Sequence, residues 1–215
     1  TTTVDTTNTT ITDKLIELGT GTSGSPSGDA GIVIERGSSD NVFIGWDESE
    51  DKIRFATGAF TGSSSGNLTL TDAIVQFGNI EASRLTTNEV IERADVKGDT
   101  LTGTPNVNLE DNAVHYYTSN AGANWVFNFR GGVSTTLNNM LATGEVMTVA
   151  LLTTQGSTAY YATGIQIDGV SQTVKWSNGT APSSGTANSI EVYSFSIVKT
   201  GNATYSVIGS VSDYS

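Results

Sequence analysis

The chain is 215 residues long and carries 22 acidic against 10 basic side chains, a formal net charge of −12, with no cysteine, 24 glycines and 3 prolines. That charge repels phosphate backbones and anionic bilayers, so neither nucleic acid nor a membrane surface is an expected partner, and a chain without cysteine has no disulfide framework and no thiolate metal site. Thr, Ser, Gly, Val, Ile and Asn dominate, a mixture that favours short strands joined by tight turns and leaves almost no helix.

The first residues are Thr, Asp and Asn with no charged-then-apolar leader, and nowhere do 18 apolar residues follow one another. Export or membrane insertion by the chain's own segments is therefore not expected, and a start without Met suggests processing or trimming. An N-terminal β module is expected over residues 1–60. Its short apolar runs, Lys14–Leu18, Gly31–Glu35, Asn41–Trp46 and Lys52–Ala56, are parted by GTGTSGSPSGDAG, RGSSD and DESED. Four such strands bury few side chains against roughly 1–2 kcal/mol of backbone entropy per ordered residue. Three copies packed about an axis would supply the missing core.

Residues 61–104 place apolar residues singly or in pairs every few positions: Leu68, Leu70, Ile74, Val75, Phe77, Ile80, Leu85, Val90, Ile91, Val96 and Leu101. The pattern resembles the strand-and-turn ladder of trimeric viral fibre shafts, in which each chain buries its apolar face only against two others. Glu81–Asp95, with Leu85, Arg84, Glu89, Glu92 and Arg93, also fits one or two helical turns. A boundary is expected near Gly103-Thr104-Pro105, where a turn signal meets a change of pattern. Of the charged residues, 16 acidic and 7 basic precede it.

Residues 105–215 read as a β-sandwich, jelly-roll-like or immunoglobulin-like, with strands near Val107–Leu109, Ala113–Tyr117, Trp125–Phe129, Val146–Thr153, Tyr160–Ile167, Val174–Trp176, Ile190–Val198 and Tyr205–Val211. Period-2 alternation puts Tyr193, Phe195 and Ile197 on one face, and likewise Trp125, Phe127 and Phe129.

Two textual matches to catalytic or cofactor motifs do not survive their flanks. Gly19–Gly24 fits GxGxxG, but SPSGDAG follows where a helix must present its N-terminus to a pyrophosphate. Gly62–Gly66 fits GxSxG without the strand, helix and base that a nucleophile elbow needs. The single histidine, His115, lies within a strand and has no Cys or second His to share a metal; only three copies on an axis could combine. The acidic turn Asp47, Glu48, Glu50, Asp51 offers hard oxygens but lacks the spacing of a calcium loop, so it reads as a solvated turn. No catalytic residue, cofactor site or metal site is assigned. For a ligand such as a glycan, the candidates are the aromatics Trp46, Tyr160, Tyr161 and Trp176.

Gly28–Gly58, GDAGIVIERGSSDNVFIGWDESEDKIRFATG, resembles a module of virion fibre proteins in marine T4-like phages, notably cyanophages, through its ERG turn, its NVFIGWDES run and the short strand after it. The stretches NWVFNFRG, YYATGIQIDGVSQTVKW and SIEVYSFSIVKT are similar to a terminal domain of the same group. The resemblance covers well over half the chain and implies a homotrimeric, non-enzymatic virion component. Its place on the particle stays open, among tail fibre, whisker, head fibre and decoration. The expected partners are its own copies, other virion proteins and a host-surface glycan or protein. The rival expectations are a capsid-decorating protein and a carbohydrate-binding adhesin module.

Overall fold

A computed structural model describes residues 8–78 and 80–215, so most of the Thr-rich start lies outside the described residues. The chain is almost entirely strand and loop, and its contacts divide it into two compact units, one running to Leu85 and the other from Thr86. The expected 61–104 segment falls across that division.

The first unit is an antiparallel meander of β1 (Ala30–Ile34), β2 (Asn41–Asp47), β3 (Lys52–Gly58) and the two-residue β4 (Thr71–Asp72), paired in that order. Lys14–Leu18, expected as a strand, is not one; Leu15, Ile16 and Leu18 stand exposed, with no strand paired to them among the described residues. On one face of the sheet Phe43 and Ala56 are buried beneath the 59–70 segment, whose Phe60 meets Phe43 edge-on at 6.0 Å. Two side chains fasten that cover. Asn41 donates its amide to the Phe60 carbonyl (2.8 Å), and Asp29 accepts from the backbone N–H of Glu48 (3.0 Å) and of Leu68 (2.8 Å).

Between Ala73 and Arg93 the described residues form no helix and no strand, so the helical alternative for Glu81–Asp95 does not hold. A few i,i+4 charge pairs contribute only tenths of a kcal/mol each and do not offset helix nucleation in so short a segment. Ile74 is fully exposed at 102 %, and Ile91 (84 %), Val90 (75 %) and Leu85 (68 %) nearly so.

The second unit is a two-sheet sandwich. One sheet has the order β11 (Val170–Gln172), β10 (Ala162–Ile167), β8 (Trp125–Arg130), β6 (Asn106–Asn108). The other runs β12 (Val174–Trp176), β14 (Thr204–Tyr214), β13 (Ile190–Gly201), β9 (Val146–Thr154), β7 (Val114–Asn120), β5 (Ala94–Lys97). From β5 to β10 the chain alternates between the sheets, so neighbours within a sheet run the same way: β5, β7 and β9 are parallel, as are β6, β8 and β10. This mixed pairing departs from jelly rolls and immunoglobulin folds, which are built from antiparallel strands. Only the last strands return as hairpins, β10–β11 through Asp168-Gly169, both at positive φ, and β13–β14.

The alternation expected from the sequence sets the core. Trp125, Phe127 and Phe129 meet Tyr193 and Phe195 across the two sheets, with Phe127 and Tyr193 rings 5.9 Å apart and Phe129 and Phe195 5.3 Å apart. A four-residue helix, α1 (Leu137–Met140), seals one end by inserting Leu137. Asp168 accepts from the N–H groups of Leu137 (2.8 Å) and Asn138 (3.1 Å), while the buried Lys199 donates to the Leu141 carbonyl (2.8 Å). Both ends of a helix too short to stand alone are thus held by charges from the sandwich.

Candidate interaction surface

β1 and β2 of the first unit are apolar on both sides, β3 adds Ile53 and Phe55 to one of them, and only the other side is covered by the unit itself. Pairing aligns the uncovered residues in three cross-strand rows: Ala30–Trp46–Ile53, Ile32–Ile44–Phe55 and Ile34–Val42–Thr57. Ile53 is 63 % exposed, Ile32 58 %, Ile34 47 %, Phe55 40 % and Trp46 38 %. At about 150–250 Å² per side chain of this size these five leave roughly 500 Å² of apolar surface in water. That is as large as the largest patch on a typical monomer and is the kind of surface that marks an interface. No charged side chain lies in the three rows. The one indole donor there is already satisfied, because Trp46 Nε1 donates to Glu48 Oε2 at 2.9 Å.

The acidic turn is partly internal to this unit. Asp47, 2 % exposed, accepts from Ser49 N–H (3.0 Å), Ser49 Oγ (2.7 Å) and Glu50 N–H (3.1 Å) through one oxygen, and from the Arg54 guanidinium (2.9 Å) through the other. Arg54 also bridges to Asp72, which ties β4 to the sheet. With both Asp47 oxygens occupied, the turn is a closed hydrogen-bonded structure; no cluster of three or more metal-ligating side chains occurs among the described residues.

Arg54, and then the Ser49 hydroxyl, hold the Asp47 carboxyl below the usual carboxylate range. A carboxyl depressed in the fold contributes stability that is present above its unfolded pKa of about 3.9 and is lost as pH falls through the folded value. Asp47→Asn should therefore flatten the acid sensitivity of the first unit below about pH 4 and weaken the unit at neutral pH. The Trp46 indole resonance reports on that unit. A variant that loses this resonance over the same acid range as the parent chain would show that Asp47 does not set the sensitivity.

The remaining aromatic candidates lie in the second unit. Trp176 packs against Phe195 at 5.8 Å, at the margin of the core. Tyr160 also packs on the core, and its N–H and carbonyl are both held by the Gln155 amide (2.9 and 2.8 Å). Tyr161 is half-buried, its N–H donated to Asn124 Oδ1 at 3.1 Å. Since β10 begins at Ala162, the two tyrosines precede the strand and its strict alternation does not apply to them. Trp46 is the most exposed of the four and belongs to the apolar rows.

His115 is buried in β7, with Nε2 donating to the Asn112 carbonyl at 2.9 Å and Nδ1 3.2 Å from Asp95. Burial, and then the nearby Lys97, lower its pKa. A second buried group, Glu191, accepts from Thr186 N–H (2.7 Å), Tyr193 Oη (3.0 Å) and Gln155 Nε2 (3.3 Å), and burial pushes its carboxyl up. These contacts join the loops at 155–161 and 184–189 to β13, so Glu191 acts as a structural tie. No helix among the described residues is long and apolar enough to cross a membrane.

The apolar rows could have been found in the sequence. GIVI and VFIGW are apolar at successive positions rather than at alternate ones, which is the pattern of strands covered on both faces, while KIRF alternates and puts Ile53 and Phe55 on one face. No family model matches the chain, and no curated protein and no solved structure matches it either.

Proposed function

We propose that this chain is a homotrimeric, non-enzymatic structural component of a tailed-phage virion, a fibre- or spike-like appendage on the particle surface that contacts a host receptor or another virion protein. The observation that carries the reading is the apolar exposure in the first unit and in the segment after it. Ile32, Ile53 and Phe55 on the sheet, then Ile74, Phe77 and Ile80, and then Val90 and Ile91, stand in water when the chain is alone. Chains that bury such residues only against copies of themselves form slender, intertwined assemblies, and the missing core is then supplied by association. The sandwich has its own aromatic core and is suited to be the globular end of such an assembly. Three linked copies would also multiply weak contacts into firm attachment.

Light scattering on the purified chain tests the oligomer directly. A mass near 67 kDa, three times the 22.4 kDa chain, is the expected result, and 22.4 kDa would overturn the homotrimer. The virion assignment is tested by labelling intact phage particles with gold-conjugated antibodies against the chain. Label on an appendage is expected, and particles without label would remove the chain from the virion surface.

A further inference from the structure

Resting on the homotrimer reading, and naming the surface that would build it, we infer that the uncovered face of β1–β3, centred on Ile44 and formed with Ile32, Ile34, Trp46, Ile53 and Phe55, packs against the same face of other copies of this chain. Three observations select a second copy as the occupant. The first is charge. In a chain with 22 acidic and 10 basic side chains, most surfaces repel their own kind, and these rows carry no charge. Like faces can meet there with charge confined to the margin, where Glu48 bonds to Trp46.

The second is size. Roughly 500 Å² of apolar surface, with the polar margin around it, falls in the class of a specific interface of about 800 Å² per partner. The third is readiness for burial. The Trp46 indole N–H is bonded to Glu48, so covering the ring leaves no orphaned donor. The unit's own cover is already engaged on the opposite face, where Asn41 and Asp29 fasten the 59–70 segment over Phe43.

The absence of cysteine makes the test direct. Single-cysteine chains Ile44→Cys and Ile53→Cys are treated with a short bismaleimide, beside Ser63→Cys, whose position lies on the segment covering the opposite face. Ile53 is 63 % exposed, so Ile53→Cys keeps the test valid should Ile44→Cys fail to fold. Covalent dimers from the two face positions are expected in at least ten-fold excess over those from Ser63→Cys, with a solution mass near three times 22.4 kDa.

A trimeric mass with dimers equal to or fewer than those of Ser63→Cys would overturn the assigned face while leaving the homotrimer standing. So would a trimer in which the Ile53→Cys thiol reacts with a bulky monofunctional maleimide as fast as the Ser63→Cys thiol does. A monomeric mass would overturn both the face and the homotrimer.

Discussion

Phe127→Ala should unfold the second unit's packing while leaving the first unit's sheet in place. Phe127 is fully buried and its ring touches four others: Tyr117 at 6.4 Å, Trp125 at 5.7 Å, Phe129 at 6.3 Å and Tyr193 at 5.9 Å. Its neighbours come from both sheets and are fixed by strand backbones, so they collapse into the vacated space only in part. Truncation of a buried Phe costs about 3–5 kcal/mol, a shift of roughly 10² to several times 10³ in the folding equilibrium. Near-ultraviolet circular dichroism from the buried Trp125 and Tyr193 reports on this core directly. Phe127→Leu should recover much of the loss by restoring volume. An alanine variant whose aromatic signal and denaturant midpoint match the parent chain would mean that the two sheets are not held together by this cluster.

Gly45→Ala should detach β1 from β2. Gly45 is paired with Gly31, and a Cβ built on Gly45 would lie 2.3 Å from the Ala30 carbonyl oxygen and 2.6 Å from the Gly31 Cα. The same Cβ would strike the Phe43 ring, which rests on the two glycines at 2.6 Å from that position. Backbone atoms cannot rotate aside as a side chain does, so the strands must separate. Overpacking of this kind costs about 1–3 kcal/mol and more where the obstruction is backbone. In a unit with so small a core of its own, that loss exposes β1 to solvent exchange. Backbone hydrogen exchange over residues 30–34 would rise by at least about ten-fold for a cost of 1.4 kcal/mol. Gly62→Ala, where a Cβ meets nothing within 4 Å, should leave the rate unchanged. Equal protection in all three chains would show that the Gly31–Gly45 approach does not limit the pairing.

Side-chain alternation carried much of the fold. The period of two along Glu191–Val198 and Trp125–Phe129 assigned core faces before any strand had a partner, because an extended backbone points successive side chains to opposite sides whatever lies beside it. Composition announced an all-β chain for the same local reason. Sheet membership was not local. That β5, β7 and β9 run parallel depends on the chain crossing between sheets after each strand, and a strand's own residues do not record which neighbour it meets.

Local pattern also overstated the independence of short runs: Lys14–Leu18 has a strand's composition but no ladder to join. The acidic turn looked open to solvent in sequence, and tertiary pairing with Arg54 closed its first carboxylate. In the first unit the sequence by itself determined that β1 and β2 are apolar on both sides and that β3 alternates. Only the tertiary structure decided which side the 59–70 segment covers, through Phe60, Asn41 and Asp29, and hence which side is left uncovered. The 59–70 segment can lie on one side only, so one face of the sheet is satisfied from within and the other stands exposed.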